Sequence, residues 1–424
     1  MQVDSIVGNR RGFARSVAMA VVLALVTSEG TASELTEQLT ARVGMKRAVT
    51  ALLGSDFELA VELAQTTEWL LHVRTPDGAR TLRDRAFESG LGIDRLVAEN
   101  GPLARLPYAD NTVDVVIATQ AGGQALEVLS LPEILRVLRP DGVAIIGKAL
   151  QSAGADADPV ALKKWGGRKP TTDLTSWSDA TGTWIQFRKP LRAGIDEWTH
   201  WEKGPDNNPV SSDSVIRAPY MTQFMADPLY IGMPSVTTAA GGRTFLAIGH
   251  IAHHAREWDT LYKLIARNGY NGTVLWSRDL PQGYQVHRSA FIATATTFYM
   301  INGDHAQLLD PARGVVNGQI RLRGVSGFWN WMVLRDNVLY VLTGKREPGT
   351  RPMKGDRTFG GWSWGDLSPG YYGKDVPYGF GHTLAAYDLS EKRLLWQHKE
   401  AVSYTHLRAH ETDSYLVCRR LLEK

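Results

Sequence analysis

Leu106-Pro107-Tyr108-Ala109-Asp110-Asn111-Thr112-Val113-Asp114-Val115-Val116 and, shortly after it, Glu133-Ile134-Leu135-Arg136-Val137-Leu138-Arg139-Pro140-Asp141-Gly142 decide how the first third of this chain is read. In the first stretch, turn formers give way to a β-branched apolar run, which predicts a loop feeding a buried strand over 113–118. In the second, apolar residues at helical spacing predict a helix over 132–138, stopped by Pro140 and Gly142, with a further buried strand over 143–146. Working outward, 47–53 reads as a strand, 57–65 as a helix, 69–73 as a strand and 82–89 as a helix. Strand and helix alternating in this way predict a doubly wound α/β layer over 34–150.

Both phrases resemble class I S-adenosylmethionine-dependent methyltransferases, and the resemblance covers about 110 residues. It implies a Rossmann-like α/β fold, with the first phrase leading into the fourth strand and the second forming the helix and turn before the fifth. It also implies a cofactor pocket built from three devices, and each is altered here. The glycine-rich turn is reduced to Leu53-Gly54-Ser55-Asp56. Arg74 stands where a carboxylate would accept the ribose hydroxyls, and Gly101-Pro102 replaces a Gly-Asp pair at the adenine, where proline brings neither an acceptor side chain nor an N–H. Each lost charge-assisted hydrogen bond removes about 1.5–3 kcal/mol, so the pocket reads as degenerate at Gly54, Asp56, Arg74 and Pro102, with S-adenosylmethionine not expected to bind. The alternative is an active methyltransferase with a relocated pocket, using Asp56 and Asp77.

The rest of the composition bounds the other possibilities. At 424 residues the chain is long enough for two or three domains, and 43% hydrophobic with 21% charged residues is a globular composition. A single cysteine, Cys418, excludes a disulfide framework, a thiolate zinc site and covalent haem. A formal charge of +3 gives no reason to expect nucleic acid as a partner. Of 13 tryptophans only Trp69 precedes residue 160, so the chain changes character there.

The ends read as separate from the fold. Residues 1–33 carry Arg10, Arg11 and Arg15, an apolar run from Val17 to Val26 and a small-residue close, the pattern of a signal peptide. The run is too short for a transmembrane anchor, so a periplasmic or secreted location is expected, with Arg10-Arg11 suggesting twin-arginine export. The tail 402–424 (VSYTHLRAHETDSYLVCRRLLEK is its text) breaks the preceding β pattern and resembles a translated sequencing adapter, so a longer natural chain is expected.

Residues 151–195 read as a linker and an edge strand, and beyond them the chain repeats. Asn268-Gly269-Tyr270-Asn271-Gly272 lies between two strands, the second ending at Trp276; Asp310 to Gly314 repeats the turn 42 residues on, and Asp388 to Lys392 repeats it again before Trp396. The extra length before the third copy falls in 345–380, which reads as one inserted loop. A period near 42 with four short strands is the signature of a propeller blade. The strand-Asp-turn-strand-Trp order resembles the pyrroloquinoline-quinone (PQQ)-type propeller repeat, in which the Trp locks one blade onto the next. Residues 196–401 are therefore expected to form an all-β propeller truncated to about three blades, near 235–280, 288–323 and 329–400. A methyltransferase-like domain leading into such a propeller resembles a group of poorly characterised exported bacterial proteins.

Candidate sites in this part are few. His250, His253 and His254 form a dense histidine cluster able to offer a metal site. Trp329 and Trp331, two apart in a strand, are expected on one face where they stack on a planar ligand or pack between blades. Trp362, Trp364, Tyr371 and Tyr372 give the insertion an aromatic surface suited to a sugar or a protein. The expected function is an exported binding module for an unidentified protein, saccharide or small ligand on the propeller face. The alternative is a PQQ-dependent dehydrogenase completed by further blades, although the quinone clamp of adjacent cysteines is missing from this sequence.

Overall fold

Ser33 starts the first helix, α1 (Glu34–Val43), by accepting a hydrogen bond from the Thr36 amide at 3.4 Å, and Gly44 ends it in the left-handed region at φ 64°, donating to Thr40 O. This computed structural model describes residues 33–399, apart from 153, 207, 220, 288, 347–348 and 356–380. The expected signal at 1–33, except Ser33, lies outside the described residues, as do the tail at 402–424 and most of the insertion with Trp362, Trp364, Tyr371 and Tyr372.

The alternation expected from the sequence is present. After α1 come β1 (Val49–Leu53), α2 (Phe57–Thr66), β2 (Leu70–Thr75), α3 (Ala79–Glu88), β3 (Leu96–Asn100) and β4 (Val113–Ala118). Next come α4 (Gln124–Val128), α5 (Leu131–Val137), β5 (Leu138–Ala149), α6 (Pro159–Gly166), β6 (Thr172–Asp179) and β7 (Gly182–Arg188). The strands form one sheet in the order β3-β2-β1-β4-β5-β7-β6. The first five are parallel and β7 runs antiparallel to both its neighbours. Order 3-2-1-4-5 is that of doubly wound sheets, so the layer has the doubly wound α/β fold expected from the sequence. Alternate strand residues serve two cores: Leu52, Leu71, Val73, Val115 and Ile117 pack on α1 to α3, whereas Leu53, Val116, Ala144 and Ile146 face Ile134 of α5 and Trp165 of α6.

The sheet does not stop at residue 150. Residues 151–195, expected as a linker and an edge strand, supply α6 and both β6 and β7, so the expected edge strand is flanked by another. The outermost strand, β6, is exposed or half-buried along its whole length and carries little apolar alternation, which is why its pattern is weak in the sequence. Gly147 lets β7 cross close to β5, since a Cβ there would lie 2.2 Å from Thr183 O.

Among the described residues the second half forms three antiparallel sheets where three repeat units were expected. The first contains β8 (Met233–Ala240), β9 (Arg243–Ala252), β10 (Lys263–Asn268) and β11 (Val274–Asp279), with the two-residue β18 (Met353–Lys354) added parallel to β9. The second contains β12 (Phe291–Ala293), β13 (Phe298–Asn302), β14 (His305–Leu309) and β15 (Val316–Ile320). The third contains β16 (Phe328–Arg335), β17 (Val338–Gly344), β19 (Thr383–Asp388) and β20 (Arg393–Lys399), and the insertion enters between β17 and β19. β12 lies against both β8 and β16, and one apolar core with Phe245, Phe291, Phe298, Trp329 and Val341 runs through the three sheets.

A connector ties these sheets together. Trp198 exchanges backbone hydrogen bonds with Ala239 of β8 at 2.8 and 2.6 Å, and Thr199 O accepts from the Ala293 amide of β12 at 2.9 Å. His200 Nε2 accepts from the Leu334 amide of β16 at 3.2 Å. Three consecutive residues thus bind three sheets. The repeated turns share one device: Asn268, Asp310 and Asp388 each accept, through the side-chain oxygen, a backbone N–H two residues on.

Candidate functional site

The C-terminal ends of β1, β2, β3 and β4 converge where an open α/β sheet places its ligand crevice. Gly54 follows β1 with φ 122°, a conformation that favours glycine, and a Cβ on it would meet Gln120 Oε1 at 2.9 Å. Gln120 Oε1 in turn accepts from the Ser55 amide at 3.0 Å and its hydroxyl at 3.2 Å. The Ser55 backbone N–H at this turn is therefore satisfied within the protein.

Asp56 is equally occupied. It caps α2 by accepting from the Leu59 amide at 3.4 Å, and its other oxygen accepts from Thr119 Oγ1 at 2.9 Å and Ser152 Oγ at 3.3 Å. Asp77, the other carboxylate considered for a relocated pocket, is exposed just beyond β2, where its backbone O accepts from Thr75 Oγ1 at 2.6 Å.

Arg74, at the end of β2, turns toward β3. It donates to Asn100 O at 2.9 Å and approaches Glu99 Oε2 at 3.4 Å. Its guanidinium lies where a Gly101 side chain would be, with Nη2 1.9 Å from an ideal Cβ. A donor-only group thus fills the end of the crevice, and Pro102 beside it is exposed. His72, two residues before Arg74 on the same strand face, meets Tyr108 edge-on at 5.2 Å between ring centres and comes to 3.7 Å from Glu99. Burial lowers the His72 pKa, with Glu99 opposing and Arg74 adding to the effect, and burial raises that of the Tyr108 phenol. Sequence reasoning missed Gln120 and the His72–Tyr108 pair, since these contacts join residues far apart in the chain.

In the β region the histidine cluster does not assemble as a metal site. Among the described residues no three His, Cys, Asp or Glu side chains are grouped to hold a metal ion. His250 is fully buried in β9 and stacks on Tyr262 at 6.4 Å between ring centres, and burial lowers its pKa to about 4. His253 and His254 lead into a 3-10 turn over Ala255–Thr260, and Glu257 Oε2 accepts from their backbone amides at 2.7 and 3.2 Å. One oxygen of the nearby carboxylate thus serves the backbone.

Trp329 and Trp331 do not share a face. A bulge at Asn330 sets Trp329 opposite Thr343 and Trp331 opposite Leu342, and adjacent residues of β17 point to opposite sides. Trp329 enters the apolar core, whereas Trp331 is half-buried. Trp329 also borders a cavity of about 210 Å³ with Tyr284, His287 and Phe328. Burial lowers the His287 pKa to about 4.

At the other end of the α/β sheet, Asp114 joins the two halves of the chain. This carboxylate is almost fully buried, binds Arg139, and accepts from the Val49 amide at 2.9 Å, from Asn268 Nδ2 at 2.6 Å and from Asn271 Nδ2 at 2.8 Å. The first antiparallel sheet therefore docks on the N-terminal ends of the parallel strands, opposite the ligand crevice.

No helix among the described residues is long and apolar enough to cross a membrane. A scan against protein-family models found no match, and neither did a search of curated proteins. Among solved structures, the chain is similar to a putative S-adenosyl-L-methionine-dependent methyltransferase from Methanococcus maripaludis, at 14% identity and TM-score 0.32, over 45% of this chain and 100% of that one. It is similar also to a putative sarcosine dimethylglycine methyltransferase from Galdieria sulphuraria, at 16% identity and TM-score 0.29, over 38% and 84% of the two chains. A SAM-dependent methyltransferase from Aquifex aeolicus matches at 13% identity and TM-score 0.28, over 36% and 87%.

Proposed function

We propose that this is an exported two-domain protein in which a methyltransferase-like layer without S-adenosylmethionine supports a PQQ-type propeller that acts as a ligand- or protein-binding module. The observation that carries the first half is Arg74, whose guanidinium is bonded to Asn100 O and packed on Gly101. A cation with no acceptor replaces the ribose-binding carboxylate, and Gln120 and Thr119 occupy the polar groups of the neighbouring turn.

The propeller reading is supported by three antiparallel units, one of five strands and two of four, in register with the sequence repeat, and by the indole of Trp276 on the next unit's turn. The test of the crevice is calorimetry on the whole chain with S-adenosylmethionine and S-adenosylhomocysteine. No saturable binding tighter than about 10 micromolar, near 7 kcal/mol, is expected; tighter binding of either overturns the reading. Export is tested by fractionating cells that make the chain with residues 1–33 intact. Retention with the cytosolic fraction overturns it.

A further inference from the structure

The junction between the two halves is strongly cationic. A cleft of about 520 Å³ opens beside Asp114, between the N-terminal ends of the parallel strands and the hairpin turns of the first two antiparallel sheets. Its walls carry six cations, Lys46, Arg47, Arg139, Arg188, Arg243 and Arg313, against two carboxylates, Asp114 and Asp141. These come from separate segments of the sequence, and folding brings them to one opening.

Internal carboxylates account for four of the six. Lys46 and Arg47 reach Glu68 at 2.8 and 2.7 Å, Arg139 binds Asp114, and Arg188 approaches Asp141 at 3.4 Å and Asp173 at 3.7 Å. Asp114 is divided among Arg139, the Val49 amide and two asparagines, so it has little left for a second cation. Arg243 and Arg313 have no ion-pair partner among the described residues. Arg243 is half-buried and donates to its neighbour Gly241 O at 3.2 Å. Burial and the adjacent Arg139 work against its charge, and the carboxylates of Asp310 and Asp141 only partly offset them. Partly desolvated like charges repel unless an anion joins them.

We propose that this cleft binds a small molecule carrying a phosphate or sulfate group, gripped by Arg243 and Arg313 from the antiparallel sheets, with the ion-paired Arg139 and Arg188 of the α/β layer lining the wall opposite. Guanidinium forks match tetrahedral oxyanions through paired N–H donors, and the cleft has the volume of a small-ligand site. The cleft is walled by both halves of the chain, so a ligand held in it stabilises their docking. The site lies at the opposite end of the sheet from the degenerate crevice and is independent of whether that crevice binds a nucleoside.

The experiment is calorimetry and thermal unfolding of the whole chain with inorganic pyrophosphate and with sulfate, at low and high sodium chloride. Saturable binding and a raised unfolding midpoint are expected, weakened about tenfold or more by Arg243→Gln or Arg313→Gln. Arg80→Gln, an exposed position on α3 away from the cleft, serves as the control and leaves both readouts unchanged. Stronger binding of pyrophosphate supports the site with a phosphate ester as ligand, and stronger binding of sulfate supports it with a sulfate ester. Unsaturable heats with both anions overturn the proposal, and so does binding that survives the double arginine variant or falls equally in Arg80→Gln.

Discussion

Trp276, near the end of the first antiparallel sheet, donates its indole N–H to Pro311 O in the second at 3.0 Å, and its ring lies where a side chain on Gly314 would stand, 2.5 Å from an ideal Cβ. Gly314 has φ 70°, so both its conformation and its missing side chain serve the contact. Phe224, from the connector, makes the same approach to Gly272, the matching turn one repeat earlier, at 2.5 Å. One repeat after Trp276 the position is Gly318, so the tryptophan lock is not used between every pair of sheets.

Replacing that indole tests the lock. Trp276→Ala is expected to lower stability by about 2–3 kcal/mol, below the usual cost of a fully buried tryptophan because this one is half-buried. Gly314→Val should be at least as damaging, because it adds an unfavourable φ to a steric clash. Chemical denaturation followed by tryptophan fluorescence reads both, and an unchanged midpoint in either variant would contradict the contact's role.

Asp114→Asn should cost about 3–5 kcal/mol, since it removes the charge facing Arg139 in a buried site. Asn271→Ala, which removes one neutral donor to the same carboxylate, should cost about 1.5–3 kcal/mol. Scanning calorimetry of the single and double variants is the measurement. Energies that simply add would show that the residues are not coupled across the junction.

Acid should destabilise the β region before the carboxylates titrate. His200, His250 and His287 are buried, and burial lowers each pKa to about 4, from an ordinary value near 6.5. Between those values the unfolded chain binds protons that the folded chain refuses. Stability is therefore fully present above about pH 6.5 and falls as the pH drops toward 4, by up to about 1.4 kcal/mol per pH unit for each imidazole. His200→Gln keeps an acceptor for the Leu334 amide while removing the proton site, and should make the slope shallower. Denaturation midpoints from pH 7.5 to 4.5 that do not move would refute the assignment.

Gly101→Ala should displace the Arg74 guanidinium and cost about 1 kcal/mol, because the obstructing group is the end of a flexible side chain. Arg74→Ala combined with Gly101→Ala should recover part of that loss. A double variant no better than the sum of the singles, by thermal denaturation, would show that the two residues do not share the space.

The sequence by itself determined the elements whose cause is local. The phrase ending in Val113-Asp114-Val115-Val116 is the fully buried β4, because a run of apolar β-branched residues after a turn has no other low-energy state in water. Asp56, Ser130 and Asp158 cap helices for reasons contained within three residues of chain. The repeat was legible too, since its turns at Asn268, Asp310 and Asp388 close on their own backbone amides. Tertiary structure alone decided relationships that depend on distant partners. The polar alternation of β6 becomes a strand only because β7 offers it an edge. The pairing of Trp329 with Trp331 failed because a bulge at Asn330 changes the face, and a bulge is set by the partner strand. Asp114 meets Asn268 and Asn271 more than 150 residues away, and the six cations of the cleft converge only after both halves have docked. Capping and periodicity are short-range and leave a mark in the sequence, whereas charge convergence costs nothing in the extended chain and exists only once the fold has brought the segments together.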